Sequence, residues 1–326
     1  MNIGLFALFE NKIGHIDAFD SQFELMLHAE QLGFDEMWMA EHHFNNRSIS
    51  SALLPIMAYA AAKTSKIRLG SAAVLLPFYN PIRLAEDIAT IDLLSRGRLN
   101  LGIAKGGPFD EQFRNFGIMP DESRTVSLEV AEILEKLLYE EHVSYRGERF
   151  NLENVTLTPK PLQLPIPIYH ATHSDEGIAY AARHNHKLLA AQPWSVEMIR
   201  RHLAYYEQCG GNSSKKVAVF KTFLVAKNRK EARSEVLPSI ERFLSRMRDN
   251  PHIAHTDFLD PERHLNNAIL GSVDECVEAI EQLRESVDPC SLVIKPAAMD
   301  NHRTRELMEI FTRDIRPQLT DVKEIK

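Results

Sequence analysis

Ile67-Arg68-Leu69-Gly70-Ser71-Ala72-Ala73-Val74-Leu75-Leu76, followed after Pro77-Phe78-Tyr79 by Asn80-Pro81 and closed at Gly97, is a complete strand–helix unit. The first run is apolar enough to be buried on both faces, as strands of parallel sheets are. Asn80 offers a side-chain oxygen to the free N–H groups of a helix start, and Pro81 lacks the N–H that a first turn cannot use. Leu84, Ile88, Ile91 and Leu94 then fall at helical spacing on one face, and Gly97 supplies the stop. Leu99–Ala104 follows at once as a second apolar run of strand length. Strand, helix and strand joined this tightly read as a parallel βαβ unit with a right-handed crossover.

The alternation continues in both directions. Upstream, Ile3–Phe9 reads as a strand, and Ser21-x-x-Glu24 has the form of a capping box opening a helix on Phe23, Met26 and Leu27 before Gly33. Asp35–Ala40 and Ser50–Lys63 read as the next strand and helix. Downstream, Ser123–Glu140 contains a long helix, and Pro165–Ala171, Lys187–Ala191 and Val217–Ala226 read as strands, each followed by a helical pattern. A second capping box, Ser272-x-x-Glu275, precedes the last strand, Ser291–Lys295, and Asp300 can cap a final helix, Arg303–Phe311. Eight strands alternating with helices to both ends of the chain favour a (β/α)8 TIM barrel over an open doubly wound sheet.

One domain over residues 1–326 is expected, with three stretches that break its rhythm: 106–122, 142–164 and 248–270. The second, rich in Thr, Val and Pro, reads as a hairpin excursion. The third carries His252, His255 and Phe258 and is the candidate mobile lid, because insertions at the C-terminal face of a barrel build or cover its site.

With 44% hydrophobic and 25% charged residues the chain can form a sizeable core, and its net charge of −7 opposes nucleic-acid or anionic-membrane binding. The most apolar later stretch, Ala52–Ala62, contains Pro55 and is too short for a bilayer. Cys209, Cys276 and Cys290 form no ligand pattern, and residues 1–10 lack a charged leader, so a cytoplasmic protein with reduced thiols is expected.

Three strand ends carry chemistry. Glu41-His42-His43-Phe44 closes the second strand, where a parallel barrel places its active site. Adjacent residues on a strand point opposite ways, so one histidine of the pair faces the site. Neighbouring histidines seldom chelate one ion and no third ligand is evident, so no metal is assigned. Gly102-Ile103-Ala104-Lys105-Gly106-Gly107 closes the fourth strand, where glycines let backbone approach a ligand and Lys105 can meet an anion. Ala171-Thr172-His173-Ser174-Asp175-Glu176-Gly177 closes the fifth. Ser174 can cap a helix whose N-terminus attracts phosphate, or serve as a plain cap; Asp175 and Glu176 are expected to point outward.

Taken together, these pieces resemble the bacterial luciferase-like flavin monooxygenases. The resemblance runs almost end to end, through Glu41-His42-His43-Phe44, Ile67–Pro77, Asn80–Asp87, Asp92-Leu93-Leu94-Ser95-Arg96-Gly97-Arg98, Leu101-Gly102-Ile103 and Gly271–Cys276. It implies that His42 lies beside a flavin ring and takes part in proton transfer. It implies a phosphate site made by Lys105, Arg124 and Ser174, with backbone around Gly177, and a non-prolyl cis peptide at Ala72–Ala73 whose small side chains leave room for the isoalloxazine. The implied reaction uses FMN as FMNH2, delivered by a separate flavin reductase, and O2 to form a C4a-peroxyflavin that oxygenates a small organic substrate.

Two departures refine this picture. Ala104 stands where the light-emitting subunit has a reactive cysteine, which argues against bioluminescence, and retention of His42 and Lys105 marks a catalytic type. The resemblance extends to F420-dependent hydride-transfer oxidoreductases, and a flavin-binding partner subunit without turnover is the non-enzymatic alternative. Phe6, Leu8, Trp194 and Phe220 are candidates for pocket lining or plain core. The helix Ser50–Lys63, apolar around much of its girth, is expected at the interface of a homodimer or of a heterodimer with a paralogue.

Overall fold

The computed structural model describes residues 1–11, 14–44, 46–245, 247–248, 250, 252–253, 256–298 and 300–319. Along the chain come β1 (Asn2–Ala7), α1 (His15–Gln31), β2 (Glu36–Met39), α2 (Leu53–Lys63), β3 (Arg68–Ser71), β4 (Val74–Leu75), α3 (Pro81–Leu94) and β5 (Leu99–Ala104). Then follow α4 (Asp110–Asn115), α5 (Ser123–Tyr139), β6 (Val143–Arg146), β7 (Asn151–Val155), β8 (Ile168–His170), α6 (Asp175–Arg183), β9 (Lys187–Ala190) and α7 (Val196–Gln208). The chain continues through β10 (Val217–Val225), α8 (Arg229–Ser245), α9 (Pro261–Asn266), β11 (Ile269–Gly271), α10 (Val273–Val287), β12 (Ser291–Pro296) and α11 (Asn301–Ile310).

Strands β1, β2, β3, β5, β8, β9, β10 and β12 pair in that order, all parallel. β12 then returns to β1, with Asn2 opposite Ser291 and Leu5 opposite Ile294. The sheet is closed: it is the expected (β/α)8 barrel.

Alternation along each strand divides two cores. Outward residues meet the helices; α3 alone buries Leu84, Ala85, Ile88, Ala89 and Ile91, and each large aliphatic among them contributes roughly 1.5–3 kcal/mol by leaving water. Inward residues fill the lumen with aromatic rings. Trp38 meets Tyr169 at 5.0 Å and Phe220 at 5.7 Å, both edge-on, and Phe220 meets Phe6 at 5.0 Å. Gly70 is what lets the indole lie there, because a Cβ on it would fall 2.3 Å from the Trp38 ring.

A polar network seals the floor, at the N-terminal ends of the strands. The buried Glu36 carboxylate accepts hydrogen bonds from Trp38 Nε1 (2.8 Å), Asn2 Nδ2 (2.9 Å), Ser291 Oγ (3.1 Å) and Asn100 Nδ2 (3.4 Å).

Several local expectations need correction. Helix α1 begins at His15, so Ser21 lies inside it and its hydroxyl donates to the Ala18 carbonyl rather than capping. The apolar stripe of α3 passes from Ile91 to the buried Ser95, four residues on, leaving Leu94 57% exposed. Asp92 turns inward instead, accepting from the backbone of Leu162 and Gln163 at 2.8 Å each. On α2, Leu53, Leu54, Ile56, Met57, Ala60 and Ala61 are buried within the chain, while Pro55, Tyr59 and Ala62 are exposed.

The 142–164 stretch does contain an antiparallel hairpin, β6 with β7. The 248–270 stretch is less irregular than its sequence suggested. It holds α9 and the start of β11, which extends the sheet by pairing Phe223–Val225 of β10 with Ile269–Gly271; His255 lies outside the described residues. The expected caps at Asn80, Ser174, Ser272 (with Glu275) and Asp300 all form. Among the described residues no helix is long and apolar enough to cross a membrane.

Candidate active site

A closed parallel barrel brings the C-terminal ends of all eight strands to one face. His42 follows β2, Ala72–Ala73 follow β3, Lys105 follows β5 and Ser174 follows β8. They therefore share one end of the molecule. The Ala72–Ala73 peptide is cis, as the family resemblance implies.

The two histidines of the Glu41–Phe44 motif are treated differently. His43 is committed to structure: its Nε2 lies 2.7 Å from Glu41 Oε1, and its ring packs edge-on against Phe78 and Phe116. The other Glu41 oxygen accepts from Tyr79 OH (3.0 Å) and Leu75 N (3.3 Å). Burial, reinforced by the Glu41 charge, pushes the Tyr79 phenol far up, so it stays a donor. His42 is half-buried, and its backbone N–H bonds Ser50 O at 3.4 Å.

Lys105, Arg124 and Gly177 line one concavity, together with Ser127, His170 and Thr172. The first turn of α5 carries Arg124 into it, and its guanidinium donates to the Ser174 hydroxyl. The same oxygen accepts from Gly177 N (3.2 Å) and lies 3.2 Å from Thr172 Oγ1. Gly177 cannot carry a side chain here, since a Cβ would meet Thr172 Oγ1 at 2.4 Å. Asp175 and Glu176 are exposed, as expected, but Glu176 still reaches back to 3.6 Å from Arg124 Nη1.

The electrostatics are those of two neighbouring cations, Lys105 and Arg124, with the exposed Glu176 carboxylate beside the guanidinium. Burial, and then the neighbouring Arg124, hold Lys105 below the ordinary lysine range. Burial and then both cations lower His173 in turn. An ammonium, a guanidinium, two hydroxyls and a helix-start N–H suit a phosphate dianion well.

Sequence reasoning missed Thr172 and Ser127. Thr172 sits two residues before the cap it orients. Ser127 lies one helical turn after Arg124, so the i,i+3 relation could have found it. Of the pocket candidates, Phe220 packs in the lumen, whereas Phe6 and Leu8 line a cavity of about 230 Å3 together with Glu10 and Lys295, themselves paired at 3.3 Å. Trp194 stands between His173 and His202, 6.4 Å and 4.9 Å from their rings.

Fold and cradle together define a TIM barrel with two cations in a concavity at its mouth. The sequence profile described as luciferase-like monooxygenase matches residues 1–288, and the chain belongs to that family. It is 38% identical over 161 residues to protein y4vJ of Sinorhizobium fredii, covering 49% of this chain and 46% of that protein. It is 28% identical over 283 residues to limonene 1,2-monooxygenase of Rhodococcus erythropolis, covering 82% of this chain and 72% of the relative. An F420-dependent glucose-6-phosphate dehydrogenase of Kineococcus radiotolerans is 32% identical over 166 residues, 49% of each chain. The chain thus spans about half the length of some curated relatives that it matches.

Among solved structures, monooxygenase RslO1 from Streptomyces bottropensis superposes with a TM-score of 0.87 at 25% identity, covering 97% of this chain and 99% of that one. The oxygenating constituent of 3,6-diketocamphane monooxygenase from Pseudomonas putida, in complex with FMN, shares the fold with a TM-score of 0.78 at 21% identity, over 98% and 99% of the two chains.

Proposed function

We propose that this chain is the oxygenase component of a two-component flavin monooxygenase, taking FMN as FMNH2 from a separate reductase and using O2 to oxygenate a small organic substrate. The observation that carries this reading is the cradle: Lys105, Arg124 and the Ser174–Gly177 helix start converge at the mouth end that also holds His42 and the Ala72–Ala73 cis peptide.

In this reading Lys105 and Arg124 neutralise the cofactor phosphate, and the Gly177 N–H lies beside it. Ala72 and Ala73 leave space for the ring. Bound reduced flavin supplies the electrons that activate O2. His42 holds or moves a proton at an imidazole nitrogen, which neutral pH suits in histidine. Within the candidate lid, the described residues Asn250 and His252 bond Pro108 O (2.6 Å), in the loop after Lys105, and Asp110 Oδ1 (3.1 Å), at the start of α4, which supports a lid role for this stretch. A dimer forming over the groove of Phe19, Phe23, Pro55 and Tyr59, in a cytoplasmic setting that keeps Cys209, Cys276 and Cys290 as free thiols, completes the proposal.

The F420-dependent relative keeps a second reading open, hydride transfer with F420. The discriminating experiment supplies purified protein with photoreduced FMN, isotopically labelled O2 and a panel of aldehydes, ketones and terpenes. Label in a product, and a loss of about 100- to 10,000-fold in His42→Ala with FMNH2 affinity retained, are expected. Tight F420 binding without FMNH2 binding would replace this reading with hydride transfer. Flavin binding with no turnover on any substrate would make the chain a partner subunit.

A further inference from the structure

On the flank of the barrel, separated from the mouth concavity by His170, three side chains from two parts of the fold meet. Glu135 projects from α5; His184 follows α6, and His186 immediately precedes β9. Glu135 Oε2 lies 3.0 Å from His184 Nδ1 and 3.3 Å from His186 Nε2. All three donor atoms lie within 4.8 Å of one another. In a tetrahedral zinc site with bonds near 2.0–2.1 Å, donor atoms stand about 3.4 Å apart, so a small closure of the two imidazoles places all three on one ion.

The surroundings fit such a site. The second nitrogen of His186 is 3.0 Å from Nε2 of the buried His170, which fixes the ring's rotation as outer partners of metal-binding histidines do. The second oxygen of Glu135 accepts from Tyr180 OH at 2.7 Å, and the Tyr180 ring stacks on His184 at 4.1 Å. Between the histidines, Asn185 takes a φ of 57°, the left-handed turn that asparagine tolerates, and this sends both rings to the same side. Among the described residues the partners of Glu135 are two imidazoles and a phenol, not a lysine or arginine that would take the place of a cation. The His184 side chain is 33% exposed against 9% for His186, so a path from solvent and room for a water ligand lie on the His184 side.

We propose that Glu135, His184 and His186 bind a divalent transition-metal ion of the zinc class, clamping α5 to the α6–β9 turn. Two nitrogen donors and one carboxylate select Zn2+, Co2+ or Ni2+ over Mg2+ and Ca2+, which take oxygen ligands. The proposal is independent of the flavin reading, and none of its ligands belongs to the cradle.

The test uses the full chain without a polyhistidine tag, stripped with chelator and titrated with Co2+ as a visible-absorption probe and with Zn2+ by calorimetry and thermal melting. One equivalent should bind, with d–d bands of low coordination number, and Zn2+ should raise Tm. His184→Ala, an exposed change that leaves folding intact, should weaken binding at least about 100-fold, beyond the 10- to 100-fold typical of losing an outer partner. Glu135→Gln keeps the shape and should weaken it comparably, while FMN affinity stays unchanged in both variants. Absence of d–d bands at millimolar Co2+, or wild type and both variants binding alike, would overturn the proposal and leave a hydrogen-bonded cluster.

Discussion

At the floor of the barrel one carboxylate, Glu36, is surrounded by four donors drawn from β1, β2, β5 and β12. At the mouth Lys105 and Arg124 line one concavity with hydroxyls and a backbone N–H, and burial, followed by the neighbouring positive charge, depresses the protonation of Lys105 and His173. Both regions are polar, the floor buried and the mouth half-exposed. The difference is closure: the floor carboxylate takes its donors from within, as buried groups must if they are to stabilise, while the mouth holds two neighbouring cations that the exposed Glu176, 3.6 Å from Arg124, offsets only in part. One end holds the fold together, and the other, on the proposed function, takes up a ligand at some expense to the ligand-free protein.

The largest effect should come from breaking the floor. Trp38→Ala removes the indole between Tyr169 and Phe220, takes away a donor to Glu36 and leaves a void beside Gly70. Urea unfolding should show a loss of about 3–5 kcal/mol; a loss below about 1 kcal/mol would mean that the lumen is not the stabilising core described here. The same kind of truncation at the mouth should act the other way round. Arg124→Ala should change stability by less than about 1 kcal/mol, yet weaken FMN binding roughly 10- to 150-fold, the worth of a charged hydrogen bond of about 1.5–3 kcal/mol. Fluorescence titration measures it, and unchanged affinity would remove Arg124 from the phosphate site.

The contrast between floor and mouth also explains what the sequence made legible. The barrel was readable because its signals are local: Asn80-Pro81, Gly97, and the Ser272–Glu275 box each act over one turn, and all sit where expected. The same locality misled at Ser21, where a capping pattern occurs inside a helix that Ala18 and Phe19 had already tied to the core. Leu94 misled because Asp92, not a leucine, was needed inside to hold the 162–163 backbone. Lys105 and Ser174 stood out singly at their strand ends, but Arg124 and the convergence of the three were legible only through resemblance, since they come from three separate turns of the chain. The cluster at Glu135 was not legible at all: His184 and Glu135 stand 49 residues apart, and neither spacing nor periodicity joins them.

A smaller effect belongs to Ser174, which caps α6 and also receives Arg124. Ser174→Ala should lower stability by about 1 kcal/mol through the lost cap. Its effect on FMN affinity should stay below that of Arg124→Ala, because the guanidinium remains. Equal losses in the two variants would show that Arg124 works only when the hydroxyl positions it.

The smallest effect is the most specific to the mouth, and its sign follows from Lys105. Burial, then the Arg124 charge, lower its pKa from 10.5. Between the folded value and 10.5 the unfolded chain therefore binds more protons than the folded one, so stability rises with pH across that window. Below the window the full penalty of a desolvated ammonium is present. Lys105→Met should consequently be more stable than wild type at neutral pH, with the gap closing as pH climbs toward 10.5. Inorganic phosphate or FMN should reverse the order at neutral pH, because a bound dianion favours the ammonium in wild type and has nothing to favour in the variant. Melting curves with and without phosphate at several pH values decide the matter: a gap that ignores both pH and phosphate would mean that Lys105 is an ordinary surface cation, and that the mouth is no less self-satisfied than the floor.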